Sequence, residues 1–314
     1  MKYNIDEVLV GAIMTKVPIV LVEGYDDIQF YEKLCIDSKK QVDVFAIETF
    51  ENYGEGCNSV IKAVEDLQDQ INKNSQILNY FLGIVDRDAR FYRNELPNNL
   101  KGLFILKYYS FESHLVTDVN IQKILPLVTS INVSAIDVSI LSFLKTNYTQ
   151  VVSQLYYICL EALKNACVTN YDAVLGYSEK EGKIADRNSR NYLYSKVLEK
   201  KSDLDSFAEI KGINKNDLLL IAKGKWLIHA YANCVLENLK GLKDFCFRSS
   251  TRKCQYCRTG QKEKCLWKLK ENYNFSQIAN LLTNFYDEKE VAYIKERLNK
   301  LGETEEREAQ RNAS

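Results

Sequence analysis

Val17-Pro-Ile-Val-Leu-Val-Glu-Gly-Tyr-Asp-Asp27 decides the fold, together with a second stretch further along, Phe81-Leu-Gly-Ile-Val-Asp-Arg-Asp88. In each, a short aliphatic and β-branched run ends abruptly in acid: Glu23 with Asp27, then Asp86 with Asp88. Unbroken runs of this length are strands buried on both faces, as in a parallel sheet covered by helices. Ligands of open α/β sheets gather beyond the carboxyl ends of the strands, so both acidic clusters are predicted at one edge. If the two strands are neighbours, their carboxylates converge. Unpaired carboxylates so close repel one another unless a hard cation lies between them, and the pattern therefore predicts a Mg²⁺ site.

Working outward, Ile5, Val8, Leu9, Ala12 and Ile13 recur at helical spacing and predict a helix over 4–15 that ends before Pro18. Gly24 lets the chain turn closely past the site, and Asp26 or Asp27 can cap a helix carrying Ile28, Tyr31 and Leu34. Further strands are predicted over 42–47, 80–85 and 103–106, with a glycine-rich loop over 52–58 and an amphipathic helix through Val60, Val64, Leu67 and Ile71. The loop lacks the Gly-Lys-Ser/Thr ending of a phosphate-binding P-loop. This alternation predicts an α/β fold, a doubly wound, mainly parallel sheet with right-handed crossovers. From residue 118 onward the apolar spacing is helical, at 121–127, 136–144, 151–163, 218–239 and 278–301, while 176–190 reads as a charged loop. The predicted organisation is a catalytic domain over 1–117, a mostly α-helical C-terminal domain over 118–302 with a cysteine-rich basic insertion at 243–271, and a charged, disordered tail over 303–314.

Glu-Gly-x-x-Asp after one strand and Asp-x-Asp after another, here Glu23, Gly24, Asp27, Asp86 and Asp88, resembles the Toprim domain of topoisomerases, primases and several nucleases. With Tyr109-Ser-Phe-Glu-Ser-His-Leu115 added, the chain over roughly residues 15 to 120 is similar to one branch of that superfamily. That branch comprises the nuclease effectors of PARIS anti-phage defence, which are related to the OLD-family nucleases. One departure is Tyr25, where many Toprim domains carry a basic residue. The resemblance implies a Toprim-like fold and a Mg²⁺-dependent nuclease. In it Glu23 transfers a proton beside the metal, Asp86 and Asp88 are ligands, and Asp27 and Glu112 are supporting ligands. It further implies a cytoplasmic effector held inactive by an ABC-type ATPase partner, which on release acts as a homodimer and cuts host tRNA to arrest growth. A DNA-cleaving nuclease of the OLD type and a non-catalytic Toprim-like docking module remain as alternatives.

Arg87 and Arg90 are placed either to hold a substrate phosphate, since guanidinium matches two phosphate oxygens, or to pair with the acids. Lys223-Gly-Lys-Trp226 interrupts an apolar run. Toprim-type nucleases often take a lysine from outside the motif core, which makes Lys225 a catalytic candidate. The alternative is a helix terminus whose basic residues lie near its last carbonyls. His114 reads as a structural hydrogen-bonder.

A second constellation is Cys246, Cys254, Cys257 and Cys265, whose central Cys-x-x-Cys can offer two sulfurs to one ion from a single turn. A Zn²⁺ site and a loop of reduced thiols are both consistent with this spacing. Around it, nine basic residues, among them Arg252, Lys253 and Arg258, face only three acids over 243–271. With Phe245, Phe247, Tyr256 and Trp267 interleaved, the stretch predicts a patch that binds a nucleic-acid backbone and stacks an exposed base, or that docks on an acidic protein. Elsewhere, 42 basic residues balance 42 acidic ones, which excludes coating of nucleic acid by bulk charge. The N-terminus carries no signal-peptide pattern and no run reaches membrane-span length, predicting a cytosolic protein whose other five cysteines are core thiols.

Overall fold

In the computed structural model, β1 (Ile19–Val22) and β3 (Phe81–Val85) lie side by side and parallel, with Leu21 opposite Gly83. β2 (Asp43–Ala46) pairs with the other side of β1 and β4 (Leu103–Ile105) with the far side of β3, giving a four-stranded all-parallel sheet in the order β2-β1-β3-β4. Every residue of β1 and β3 is buried, which is why both read as unbroken apolar runs. The structure describes residues 2–249 and 253–302. Arg252 and the tail over 303–314 lie outside the described residues.

The chain divides into two units, one ending at Lys107 and resuming at Glu288, the other spanning Tyr108–Asp287. The expected boundary at 117 is therefore displaced, and the last helix belongs with the sheet. Helix Glu288–Asn299 buries Val291, Ile294 and Leu298. It is tied into the first unit by Lys107 N–H donating to the Tyr293 hydroxyl (2.9 Å) and by Lys40 Nζ donating to the Asn299 carbonyl (2.8 Å).

In the first unit, α1 (Ile5–Thr15) starts at Asn4, whose side chain accepts from the Asp6 and Glu7 amides, and stops at Lys16 in the left-handed conformation. α2 (Tyr25–Asp37) springs directly from the end of β1, and α3 (Cys57–Asp66) packs on β3. A Cβ at Gly83 would lie 2.7 Å from Val64 Cγ2 and 3.1 Å from Val60 Cγ1, so glycine is what allows α3 this close to the sheet.

The second unit is helical. Helix Tyr148–Cys167 is buried without interruption from Gln154 to Lys164, and the long helix Gly224–Arg248 packs against helices Glu181–Ala185 and Phe275–Thr283. The charged stretch 176–190, expected as a loop, contains helix Glu181–Ala185 and the start of helix Arg187–Leu198, capped by the Asp186 side chain. The run 218–239 is two helices, Leu218–Ile221 and Gly224–Arg248, because Ala222 and Lys223 adopt extended ψ values of 121° and 124°.

Candidate functional site

β1 and β3 end at the same edge, and this is where the sheet order reverses: from β1 the chain passes to β2 on one side and then returns to β3 on the other. Such switch points open the crevice in which α/β proteins bind ligands. Glu23 directly follows β1 and Asp86 directly follows β3, and Glu23 Oε1 accepts the Asp86 backbone N–H at 2.7 Å. The glycine-rich loop reaches this edge too. Gly56, at φ +92°, donates its N–H to the Glu23 carbonyl at 2.8 Å, and the Cys57 amide interacts with the Glu23 carboxylate. The backbone of this loop therefore serves the protein's own acid.

The remaining acids each have a defined partner. Asp27 Oδ2 accepts the Gly24 N–H at 3.0 Å, closing the first turn of α2. Asp88 starts the short helix Asp88–Tyr92 at φ 29°, a conformation that side chains other than glycine rarely adopt and that clusters at functional sites. Asp88 Oδ1 accepts the Arg90 backbone N–H at 2.6 Å, and Oδ2 is ion-paired with the Arg90 guanidinium. Arg90 also donates from Nε to Asn58 Oδ1 at 3.1 Å. Of the two roles open to Arg90, the described one is therefore pairing with acid. Arg87 instead lays its guanidinium over the Phe91 ring, 3.3 Å from the centroid, and interacts with Tyr92. Its Nε is buried without a partner among the described residues.

Burial pushes the Glu23 carboxyl above its ordinary range; the Asp86 amide opposes this, the charge of Asp88 adds to it, and Arg90 opposes it. Glu23 thus holds a proton more readily than a free carboxyl does. Beneath it lies Tyr31, 2% exposed, whose hydroxyl is kept protonated by burial and by the nearby Asp86, Asp27 and Glu23. Tyr31 and Cys57 are site residues that sequence reasoning missed as functional. Tyr31 repeats on the core face of α2 and Cys57 resembles any lone apolar thiol, so neither carried a signal beyond its proximity in sequence to an acidic cluster. The carboxylates at this edge offer oxygen donors, the type that suits a hard cation such as Mg²⁺, but among the described residues they do not form a group of three or more close enough to hold one, and beside Asp88 the compensating charge is that of Arg90.

The other sequence candidates lie in the second unit. Glu112 is buried and accepts the Ser110 hydroxyl. A Cβ on Gly224 would fall 2.3 Å from Glu112 Oε2, so this glycine brings the N-terminus of the long helix against the carboxylate. Negative charge there complements the helix dipole, a structural role that accounts for the buried acid. Lys225 is exposed in the first turn of that helix, so Lys223-Gly-Lys-Trp226 opens a helix, correcting the alternative that it closes one. His114 is fully buried, its Nδ1 3.0 Å from the Phe111 carbonyl, as expected of a structural histidine.

Cys246, Cys254, Cys257 and Cys265 come together, their Sγ atoms all within 4.8 Å of one another, and could hold a metal ion. Burial alone would push the Cys254 thiol up, but the Leu266 and Cys257 amides and contacts with the Cys257 and Cys265 sulfurs bring it down to about 7. The other five cysteines are free thiols, four of them buried and Cys167 half-buried. Three of the four expected base-stacking aromatics are engaged within the protein. Trp267 is buried, Phe245 stacks on Phe143 at 4.5 Å, and Phe247 lies beneath the Lys253 and Lys262 ammonium groups. Arg258 is exposed, its Nε held by the Lys253 carbonyl.

The fold and this site define an α/β protein with acids gathered at the edge where a parallel sheet reverses its order and, in the helical unit, a four-cysteine cluster. The sequence matches no protein-family model and no curated protein. Among the described residues, no helix is long and apolar enough to cross a membrane.

Proposed function

We propose that the chain is a Mg²⁺-dependent nuclease of the Toprim type, similar to AriB, the effector of PARIS anti-phage defence. One observation carries this reading. Glu23 and Asp86, acids of the Toprim-like motif, follow the neighbouring strands β1 and β3 at one sheet edge, where Glu23 bonds the Asp86 amide, feels the charge of Asp88 and has its carboxyl pushed toward the protonated form. Asp86 and Asp88 would hold Mg²⁺, with Asp27 in support, and the ion would neutralise charge building on a phosphodiester. Glu23 gives and takes the proton. A phosphate would meet Arg90 once that arginine leaves Asp88, Glu112 keeps its structural role at the helix end, and the resemblance alone offers Lys225 as the lysine.

By the same resemblance the substrate is host tRNA, the active form is a homodimer, and an ABC-type ATPase partner holds the protein inactive until infection. The test incubates the purified chain with Mg²⁺ and total cellular RNA or plasmid DNA and sequences the ends produced. Cleavage of tRNA that disappears with chelator, and falls at least about a hundredfold in Glu23→Gln and Asp86→Asn, is the expected result. Cleavage of plasmid in preference to RNA would favour an OLD-type enzyme instead. A second reading, a docking module without turnover, draws on the Asp88–Arg90 pair, which balances the acid's charge without a metal. Binding of the ATPase partner by a chain that cleaves nothing under any metal would establish it.

A further inference from the structure

We propose that Cys246, Cys254, Cys257 and Cys265 are the ligands of one structural Zn²⁺, a tetrathiolate centre that ties the end of helix Gly224–Arg248 to the segment 253–267. The inference is independent of the acidic sheet edge. A tetrahedral Zn²⁺ with bonds of about 2.3 Å holds its sulfurs about 3.8 Å apart. Here the four Sγ atoms lie within 4.8 Å of one another, with Cys254 and Cys265 separated by 3.8 Å, far beyond the roughly 2.05 Å of a disulfide. Cys246, Cys257 and Cys265 are buried and Cys254 partly so, which shields the set from solvent.

The backbone is arranged for thiolate. The Cys254 N–H donates to Cys246 Sγ at 3.2 Å, the Cys257 and Leu266 amides interact with Cys254, and the Trp267 amide interacts with Cys265. Amides aimed at sulfur stabilise ligating thiolates and orient them. Little regular structure holds the segment. Its regular elements are a four-residue helix, Gln255–Arg258, and a three-residue turn, Lys262–Lys264. On binding, four thiols release four protons and the sulfurs donate four electron pairs, with no change in oxidation state. The centre carries a net charge of −2, and Lys253, Arg258, Lys264 and Lys268 of the same stretch offset it. Sulfur ligands exclude Mg²⁺ and Ca²⁺, and four protein ligands leave no open position, so the role is structural.

The experiment uses the full chain purified without chelator. Elemental analysis should find one zinc per chain, released when a mercurial modifies the cysteines. Protein reloaded with Co²⁺ should show intense sulfur-to-cobalt charge transfer and the strong ligand-field bands of a tetrahedral site. Cys257→Ser should lose the metal; because that variant can also fail to fold, the Co²⁺ spectrum of the unaltered chain decides alone. Well under one zinc per chain with all four thiols alkylating in the native protein, stoichiometric iron, or the weak spectrum of octahedral cobalt would each overturn the assignment.

Discussion

Arg90 occupies the position of a counter-ion. Both oxygens of Asp88 accept from it, one from the backbone amide and one from the guanidinium. A metal ligand so occupied must exchange one cation for another, and removing the arginine should make metal binding easier. Arg90→Ala is expected to tighten Mn²⁺ or Mg²⁺ binding about threefold to tenfold, since a charge-assisted hydrogen bond nets on the order of 1 kcal/mol or somewhat more. Calorimetric titration reads this, and unchanged affinity would remove Asp88 from the ligand set. His229 gives a pH prediction. Burial depresses its pKa, Glu181 acts against this and Lys225 with it, the Phe275 ring lies 5.6 Å away, and its Nδ1 has no partner among the described residues. A histidine that resists protonation only when folded binds more protons unfolded, so stability is full above the ordinary histidine pKa of about 6.5 and is lost as pH falls through it. The melting temperature should fall over that window and the fall should flatten in His229→Gln; an unaltered slope would show that other groups set it. At this scale, acids at strand ends were legible because a run of β-branched residues stops on them. Tyr31 was not, because a buried tyrosine on a helix looks the same whether its hydroxyl faces solvent or three carboxylates.

At the level of elements, β1 and β3 were legible from their unbroken apolar runs, while the order β2-β1-β3-β4 had to come from the structure, since right-handed crossovers alone leave several orders open. What else the sequence hid was set by single glycines making close approaches. Gly224 must lie against Ser110 and Glu112, so the helical run 218–239 breaks just before it, where the sequence shows only the interruption Lys223-Gly-Lys-Trp226. Gly83 does the same between β3 and α3, and it supports a sharper test. Gly83→Ala is expected to destabilise the chain by about 1–3 kcal/mol through overpacking against Val64 and Val60. Val64→Ala alone should also destabilise, by opening a cavity, yet the double variant should be more stable than the sum of the two, because each change relieves the other. Urea unfolding of the four proteins measures the coupling. Strict additivity would mean that α3 moves away from the sheet instead of being held by it.

Across the whole molecule, charge is even in total and uneven along the chain, and the stretch 243–271 holds nine cations against three acids. Much of that charge is committed. Lys243 pairs with Glu263 and Lys262 with Asp244, while Lys270 Nζ donates to the Pro126 and Leu127 carbonyls at 2.9 and 3.0 Å. A tetrathiolate centre would draw on the remainder. Among the described residues this leaves Arg248, Lys253, Arg258, Lys264 and Lys268 without an ion pair or an ammonium contact to a carbonyl, so a nucleic acid bound here would meet about five phosphate contacts. The affinity of the chain for tRNA should then fall with salt at a log–log slope of about −3.5 to −4.5, whereas engagement of all nine cations would give about −6 to −8. Lys253→Ala with Lys268→Ala should flatten the slope by about 1.5 to 2, because each alanine removes one contact. Fluorescence anisotropy across a salt series reads both numbers. A slope in the steeper range would show that the paired lysines release their carboxylates on binding, and a slope unchanged by the double substitution would move the nucleic-acid surface away from the cysteine segment altogether.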